Sequence, residues 1–187
     1  MKRKIFLAVL TACAAAFAGM FNAEAAGKNK ILVVYYSRSG NTKAVANLIK
    51  QATGADILEI QTVTPYPADY RTTTEQAKKE LADGYRPKLK NSVTNMAQYN
   101  TIILGSPCWW GTVAMPVMTF LESYDFSGKT IAPFITHAGS RLGSSVSDIK
   151  KMCPKATVTK GLSVRGTGVK DAADDVKDWL KQTGIIK

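Results

Sequence analysis

The chain has 187 residues, with 25 Lys and Arg against 14 Asp and Glu, a formal net charge of +11, one histidine and three cysteines. That length allows one compact domain with a sizeable core and no second domain once a leader is set aside. No repeat, low-complexity tract or linker interrupts it, and a single histidine with separated cysteines argues against a metal centre.

Residues 1–25 read as a signal peptide. Lys2-Arg3-Lys4 is a basic start, Ile5 to Met20 is apolar, and Ala23-Glu24-Ala25 places small residues at the two positions a signal peptidase reads. Cleavage is expected before Ala26, giving a periplasmic or secreted domain over residues 26–187. Leu10-Thr11-Ala12-Cys13 also fits the pattern of a lipidated cysteine, although the apolar run before Cys13 is short and continues beyond it. An uncleaved anchor is a further alternative, but about 16 apolar residues fall short of a membrane span. No stable membrane insertion is expected after cleavage. Cleavage removes three basic residues and one acidic one, lowering the net charge from +11 to +9. Such an excess can face anionic lipid, an acidic redox partner or nucleic acid. No nucleic-acid motif supports the last, and a scattered, solvated basic surface is the simplest reading.

The first element of the domain is Ile31-Leu32-Val33-Val34-Tyr35-Tyr36, a continuous β-branched and aromatic run that suits a strand buried on both faces. It passes into Ser37-Arg38-Ser39-Gly40-Asn41-Thr42, after which Val45, Leu48, Ile49 and Ala52 repeat at helical spacing. Strand, hydroxyl-rich turn and helix N-terminus together suit an anion. The turn has neither the Walker spacing nor Gly-x-Gly-x-x-Gly, and no lysine ends it. Neutral donors must carry the anion, which fits a terminal phosphate monoester better than a triphosphate with its metal. An ordinary helix-capping turn is the alternative. Ser-x-Ser-Gly-Asn-Thr after a first strand resembles the FMN phosphate loop of flavodoxins. The resemblance implies FMN as cofactor and Ser37, Arg38, Ser39, Gly40, Asn41 and Thr42 as its phosphate-end residues.

A second strand is expected from Asp56 to Ile60 and a helix near Asp69 to Leu81. Between them, the tyrosines of Thr64-Pro65-Tyr66-Pro67-Ala68-Asp69-Tyr70 are placed to roof a site, to form a subunit contact, or simply to stiffen the loop. Thr101-Ile102-Ile103-Leu104-Gly105 reads as the third strand, followed by a loop Ser106-Pro107-Cys108-Trp109-Trp110-Gly111-Thr112 and a helix carrying Val117, Phe120 and Leu121. Two adjacent tryptophans in a surface loop are hard to explain as core packing, and a flat aromatic ligand explains them. The alternative is one tryptophan under the helix and the other against a neighbouring chain. Gly-Ser-Pro-x-Trp-Trp-Gly resembles the isoalloxazine loop of a flavodoxin-like subfamily, which implies that Pro107, Cys108, Trp109, Trp110 and Gly111 bound the ring.

The fourth strand is expected from Thr130 to Thr136, followed by Thr136-His137-Ala138-Gly139-Ser140-Arg141-Leu142-Gly143-Ser144, with Ala138 and Gly139 placed to close the polar edge of the ring. His137 is either a proton donor beside a reducible ligand, the one candidate catalytic residue, or a surface residue in a turn. A helix near Ser144 to Met152, a strand from Thr157 to Val164 and a helix from Val169 to Lys181 complete the pattern.

Alternating strands and helices predict an α/β fold, a doubly wound five-stranded parallel sheet with helices on both faces. The resemblance, covering about Lys30 to Lys187, implies flavodoxin-like order 2-1-3-4-5 and a ligand outside the carboxyl ends of the first and third strands. The match is to the short-chain type, since no insertion of about twenty residues splits the fifth strand. Cys108 and Cys153 are expected at opposite edges, separated by a strand length of roughly 17–20 Å against the 4.4–6.8 Å a disulfide spans, and therefore unpaired. The basic charge departs from the acidic electron-carrying flavodoxins. The resulting expectation is an exported FMN-dependent oxidoreductase whose acceptor or partner is a quinone-like small molecule or a redox protein. A non-enzymatic electron carrier and a non-redox ligand-binding module on the same fold are the alternatives. Oligomeric state is left open.

Overall fold

The structure, a computed structural model, describes residues 30–187. The signal-peptide reading and the Cys13 alternative lie outside them. No helix among the described residues is long and apolar enough to cross a membrane.

The continuous apolar runs become central parallel strands, because only a strand covered on both faces can bury every side chain. β1 (Ile31–Tyr35) pairs with β2 (Asp56–Glu59) on one side and β3 (Thr101–Trp109) on the other. β3 then pairs with β5 (Thr130–His137), with Ile103 opposite Ala132 and Ser106 opposite Ile135. The last position is shared by β6 (Thr157–Val158) and β7 (Leu162–Arg165), both parallel to β5. With these two pieces taken as one interrupted strand, the order is the expected 2-1-3-4-5. The interruption at residues 159–161 has a local cause: the Trp179 indole donates to Lys160 O at 3.0 Å, drawing the chain toward the C-terminal helix.

Helices α1 (Asn41–Thr53) and α5 (Ala173–Gln182) cover one face, with Val33, Tyr35, Ile49, Phe134, Val176 and Leu180 in its core. On the other face α3 (Met115–Glu122) and α4 (Ser145–Met152) pack against Leu32, Val34, Leu104 and Ile135. α2 (Tyr70–Ala82) begins with the Asp69 carboxylate accepting from Thr72 N at 2.7 Å, a side-chain cap on an otherwise unpaired amide. The expected helix from Val169 begins instead as a 3-10 segment, Gly166–Asp171, before α5. Cys108 and Cys153 are free thiols.

Candidate functional site

Every candidate loop emerges at the carboxyl edge of the sheet, where β1 and β3 lie side by side and their following helices depart to opposite faces. After β1, the first amide to enter α1 is Ala44 N, which donates to Gly40 O at 2.9 Å. Lys43 N donates sideways to Ser37 Oγ at 3.2 Å, so the Ser37 oxygen is used while its proton remains free to be donated. The amides of Gly40, Asn41 and Thr42, and the side chains of Ser39 and Asn41, have no hydrogen-bond partner among the described residues. Thr42 is buried, its hydroxyl 2.8 Å from that of Thr136 on β5. One of the two must donate to the other, which leaves one hydroxyl proton for a further acceptor. Arg38 reaches away from the loop: Nη1 donates to Ala68 O at 3.0 Å, and the guanidinium lies 5.5 Å from the Tyr70 ring centre.

The tryptophan segment differs from the expected loop. β3 continues through Ser106, Pro107 and Cys108 to Trp109 and pairs antiparallel with a two-residue β4 (Thr112–Val113). Only Trp110 and Gly111 form the turn, with φ of +51° and +86°. Left-handed conformations at both central residues define the hairpin turn whose twist matches paired strands. Glycine meets that demand freely at 111; a bulky indole at 110 does so at a cost of about 1–2 kcal/mol. The two tryptophans then part. Trp109 is half-buried and meets Tyr66 at 4.9 Å and Tyr36 at 5.5 Å between ring centres, both edge-on. Trp110 is 49% exposed, and its Nε1 donates to Thr74 O on α2 at 2.9 Å beneath the ammonium of Lys78. Packing against this chain's own residues thus holds both indoles.

The hairpin is clamped by the loop after β5. Gly111 O accepts from Ser144 N at 2.7 Å, and a Cβ at Gly143 would sit 2.1 Å from that same oxygen, so glycine is required by close approach. Asp148 accepts from Ser144 Oγ and, at 2.8 Å, from Thr112 Oγ1. Burial opposes its ionisation, but the hydrogen bonds from Ser144, Thr112 and Lys151 hold its carboxyl below the usual range.

His137 ends β5 opposite Arg165 of β7, and its Nδ1 is buried with no hydrogen-bond partner. Burial first, then the charges of Arg165 and Arg141, push its pKa below the ordinary 6.5. At neutral pH the imidazole is therefore uncharged.

Two adjoining cavities occupy the edge. One, of about 380 Å³, is lined by Ser39, Asn41 and Thr42 together with Pro107, His137 and Arg165. The other, of about 300 Å³, lies between α2 and the hairpin and is lined by Thr73, Thr74, Trp110, Gly111 and Ser140. Arg38, Tyr70, Cys108, Trp109 and Ala138 line both and join them. No carboxylate lines either. Ser37, Gly40 and Gly139 line neither; Ser37 acts from beneath the loop by capping Lys43. His137 lines the cavity at the Ser39 end, away from the Trp110 turn. Sequence reasoning missed Thr73, Thr74, Ala77, Arg165, Gly166 and Thr167, while Tyr70 lay within the expected roof and Thr136 and Ser140 within the loop expected after the fourth strand. The missed residues face the site only because strand register and helix placement bring them there.

The flavodoxin family model matches residues 30–183. The chain belongs to the flavodoxin family. It is similar to a protein of Bacteroides uniformis assigned as a flavoprotein, at 32% identity and a TM-score of 0.73, covering 82% of this chain and 98% of that one. A similarly assigned protein of Bacteroides eggerthii shares 28% identity at a TM-score of 0.73, covering 86% and 100%. A Lactobacillus acidophilus flavoprotein solved in complex with FMN shares 26% identity at a TM-score of 0.65, covering 79% and 99%. None of the curated proteins matches the chain. The family match takes in the β1 loop, the tryptophan hairpin and the loop after β5, and extends over nearly all the described residues of this flavodoxin.

Proposed function

We propose that this flavodoxin is an exported FMN-dependent oxidoreductase that passes electrons to a quinone-like small molecule or to a redox partner protein. FMN is the cofactor. The observation that carries the reading is the pair of joined cavities at the carboxyl edge, one holding the β1 loop and Arg165, the other Trp110 and the hairpin turn, with Arg38, Tyr70 and Trp109 shared and no carboxylate in either.

The residues suit the parts of that molecule. Ser37 and Ser39, the amides from Gly40 to Thr42 and one proton of the Thr42–Thr136 pair suit a phosphate monoester, and Arg38 and Arg165 add the charge that favours a dianion. Trp109 and Trp110, with Cys108 and Gly111, bound the neighbouring cavity where a flat ring fits, and Pro107 lines the cavity at the phosphate end. Ala138 follows β5 and lines both cavities, while Gly139 beside it lines neither. Bound FMN supplies one- and two-electron chemistry, and the protein supplies position and electrostatics. The clamp of Ser144 and Gly143 on Gly111 fixes the hairpin before any ligand arrives. His137, neutral and facing the anion end, is assigned to hydrogen bonding there.

Export rests on residues 1–25, whose pattern calls for removal before Ala26. The test is purification of the exported protein, an absorbance spectrum, and assay of nicotinamide-dependent quinone reduction. Bound flavin with turnover supports the enzyme. Bound flavin without turnover makes the protein a carrier, and failure to bind added FMN overturns the reading.

A further inference from the structure

Behind the aromatic side of the cofactor cleft lies a third cavity, of about 450 Å³, a size that holds a small organic molecule. Its walls are Tyr36, Tyr66, Pro65, Ile60 and Val63, and its charged groups are Arg38 and Lys90. Tyr36 and Tyr66 face this cavity and not the cleft, whereas Trp109 lines the cleft and not this cavity. The three rings touch one another at centre distances of 4.9 to 5.9 Å. Trp109, backed by Tyr36 and Tyr66, therefore stands between the two spaces on the aromatic side, and Arg38 borders both.

The cavity is built rather than incidental. Residues 61–63 pair back on residues 88–90, with Val63 N donating to Lys88 O at 2.9 Å and Lys90 N to Gln61 O at 2.7 Å, which fixes where Lys90 stands. Tyr66 is anchored from behind by its hydroxyl, which donates to the buried Glu80 carboxylate. That carboxylate also accepts from Gln76 at 2.8 Å, so it is satisfied away from the cavity. Lys90 and Arg38 form no ion pair among the described residues, and no carboxylate lines the cavity. Val63, 54% exposed, leaves an apolar side chain uncovered at the rim. Apolar and aromatic walls with the Lys90 ammonium, which forms no ion pair among the described residues, and with Arg38, whose charge is shared with the Asp69 carboxylate, select a ligand with a flat apolar body and one negative group.

We propose that this cavity binds a small aromatic anion, such as a quinone carrying a carboxylate or sulfonate. As an acceptor position it rests on the oxidoreductase reading; as a binding site it does not. Anthraquinone-2-sulfonate is the probe, titrated calorimetrically into the full chain with and without added FMN. The probe should bind in both conditions without displacing FMN. Lys90→Ala should weaken it about tenfold or more, and Val63→Asp, an exposed change that adds a repelling carboxylate, should weaken it at least as much. Both variants should keep native FMN affinity. The uncharged 2-(hydroxymethyl)anthraquinone should bind more weakly and be indifferent to Lys90→Ala. No probe binding, unchanged binding in both variants, or competition with FMN overturns the site. Failure of FMN to bind, with Lys90-dependent probe binding retained, overturns the oxidoreductase reading and leaves the site standing.

Discussion

Replacing Ser39 with alanine isolates the phosphate end of the cleft. Its hydroxyl is exposed in the β1 loop and has no partner among the described residues, so the apoprotein should keep its stability to within about 0.5 kcal/mol. A hydrogen bond to a charged acceptor is worth about 1.5–3 kcal/mol, which converts to about 10- to 150-fold in Kd. FMN should weaken by that factor, whereas riboflavin, which lacks the phosphate, should bind variant and wild type alike. Thr42→Ala behaves differently, because its buried hydroxyl stands 2.8 Å from that of Thr136. Removing it strands a buried polar group and costs about 1–3 kcal/mol of stability before any ligand is added. Thr42→Ser, which restores the hydroxyl, should recover most of both losses. Quenching of FMN and riboflavin fluorescence during titration with apoprotein gives the affinities, and urea unfolding gives the stabilities. Equal losses for both flavins in Ser39→Ala, or none for either, would refute the assignment of this loop to the phosphate.

The two tryptophans should separate in their effects. Trp109→Ala removes a half-buried indole packed on Tyr36 and Tyr66 and should cost about 2–4 kcal/mol in urea unfolding. Trp110→Gly relieves a left-handed φ of +51°, so stability should hold or rise while FMN affinity and flavin quenching fall; unchanged binding would remove Trp110 from the ring site. Gly143→Ala drives a Cβ to 2.1 Å from Gly111 O and should lower stability by about 2–4 kcal/mol, a loss below 1 kcal/mol showing that the clamp yields easily. The His137 pKa is depressed below 6.5 by burial, Arg165 and Arg141, so its contribution to stability is complete above that pH. As pH falls below 6.5 the unfolded chain protonates first and stability is lost down through the folded pKa. His137→Gln should flatten that part of the pH profile, and an NMR titration returning 6.5 or higher for the native imidazole would contradict a depression by burial and the two arginines.

Local chemistry wrote much of this protein into its sequence. Ile31 to Tyr35 can satisfy their backbone only as a strand and their side chains only in a two-faced core, and the hydroxyls from Ser37 to Thr42 stand at a helix start wherever that helix packs. The meeting of three loops at one edge follows from the βαβ alternation, whereas the order of the sheet is implied by the flavodoxin resemblance. Other features depend on partners distant in sequence. The segment from Ser106 to Trp109 reads as a loop, since Trp110-Gly111 lacks the usual Asn-Gly hairpin signal; pairing of Ser106 and Pro107 with β5, and of Cys108 and Trp109 with Val113 and Thr112, makes it strand. Whether each indole served the core or a ligand was undecidable from two adjacent letters. The structure shows what each packs on: Trp109 meets Tyr36 and Tyr66, and Thr74, thirty-six residues from Trp110, accepts its proton. Arg38 reads as part of an anion loop, yet its side chain crosses to Ala68 and Tyr70. Arg165 carries no sequence signal at all, and parallel register alone sets it beside His137. Strand and helix are decided within a few residues by backbone and hydrophobic periodicity, whereas the contents of a cleft are decided by side chains that only a closed tertiary structure brings within a hydrogen bond of one another.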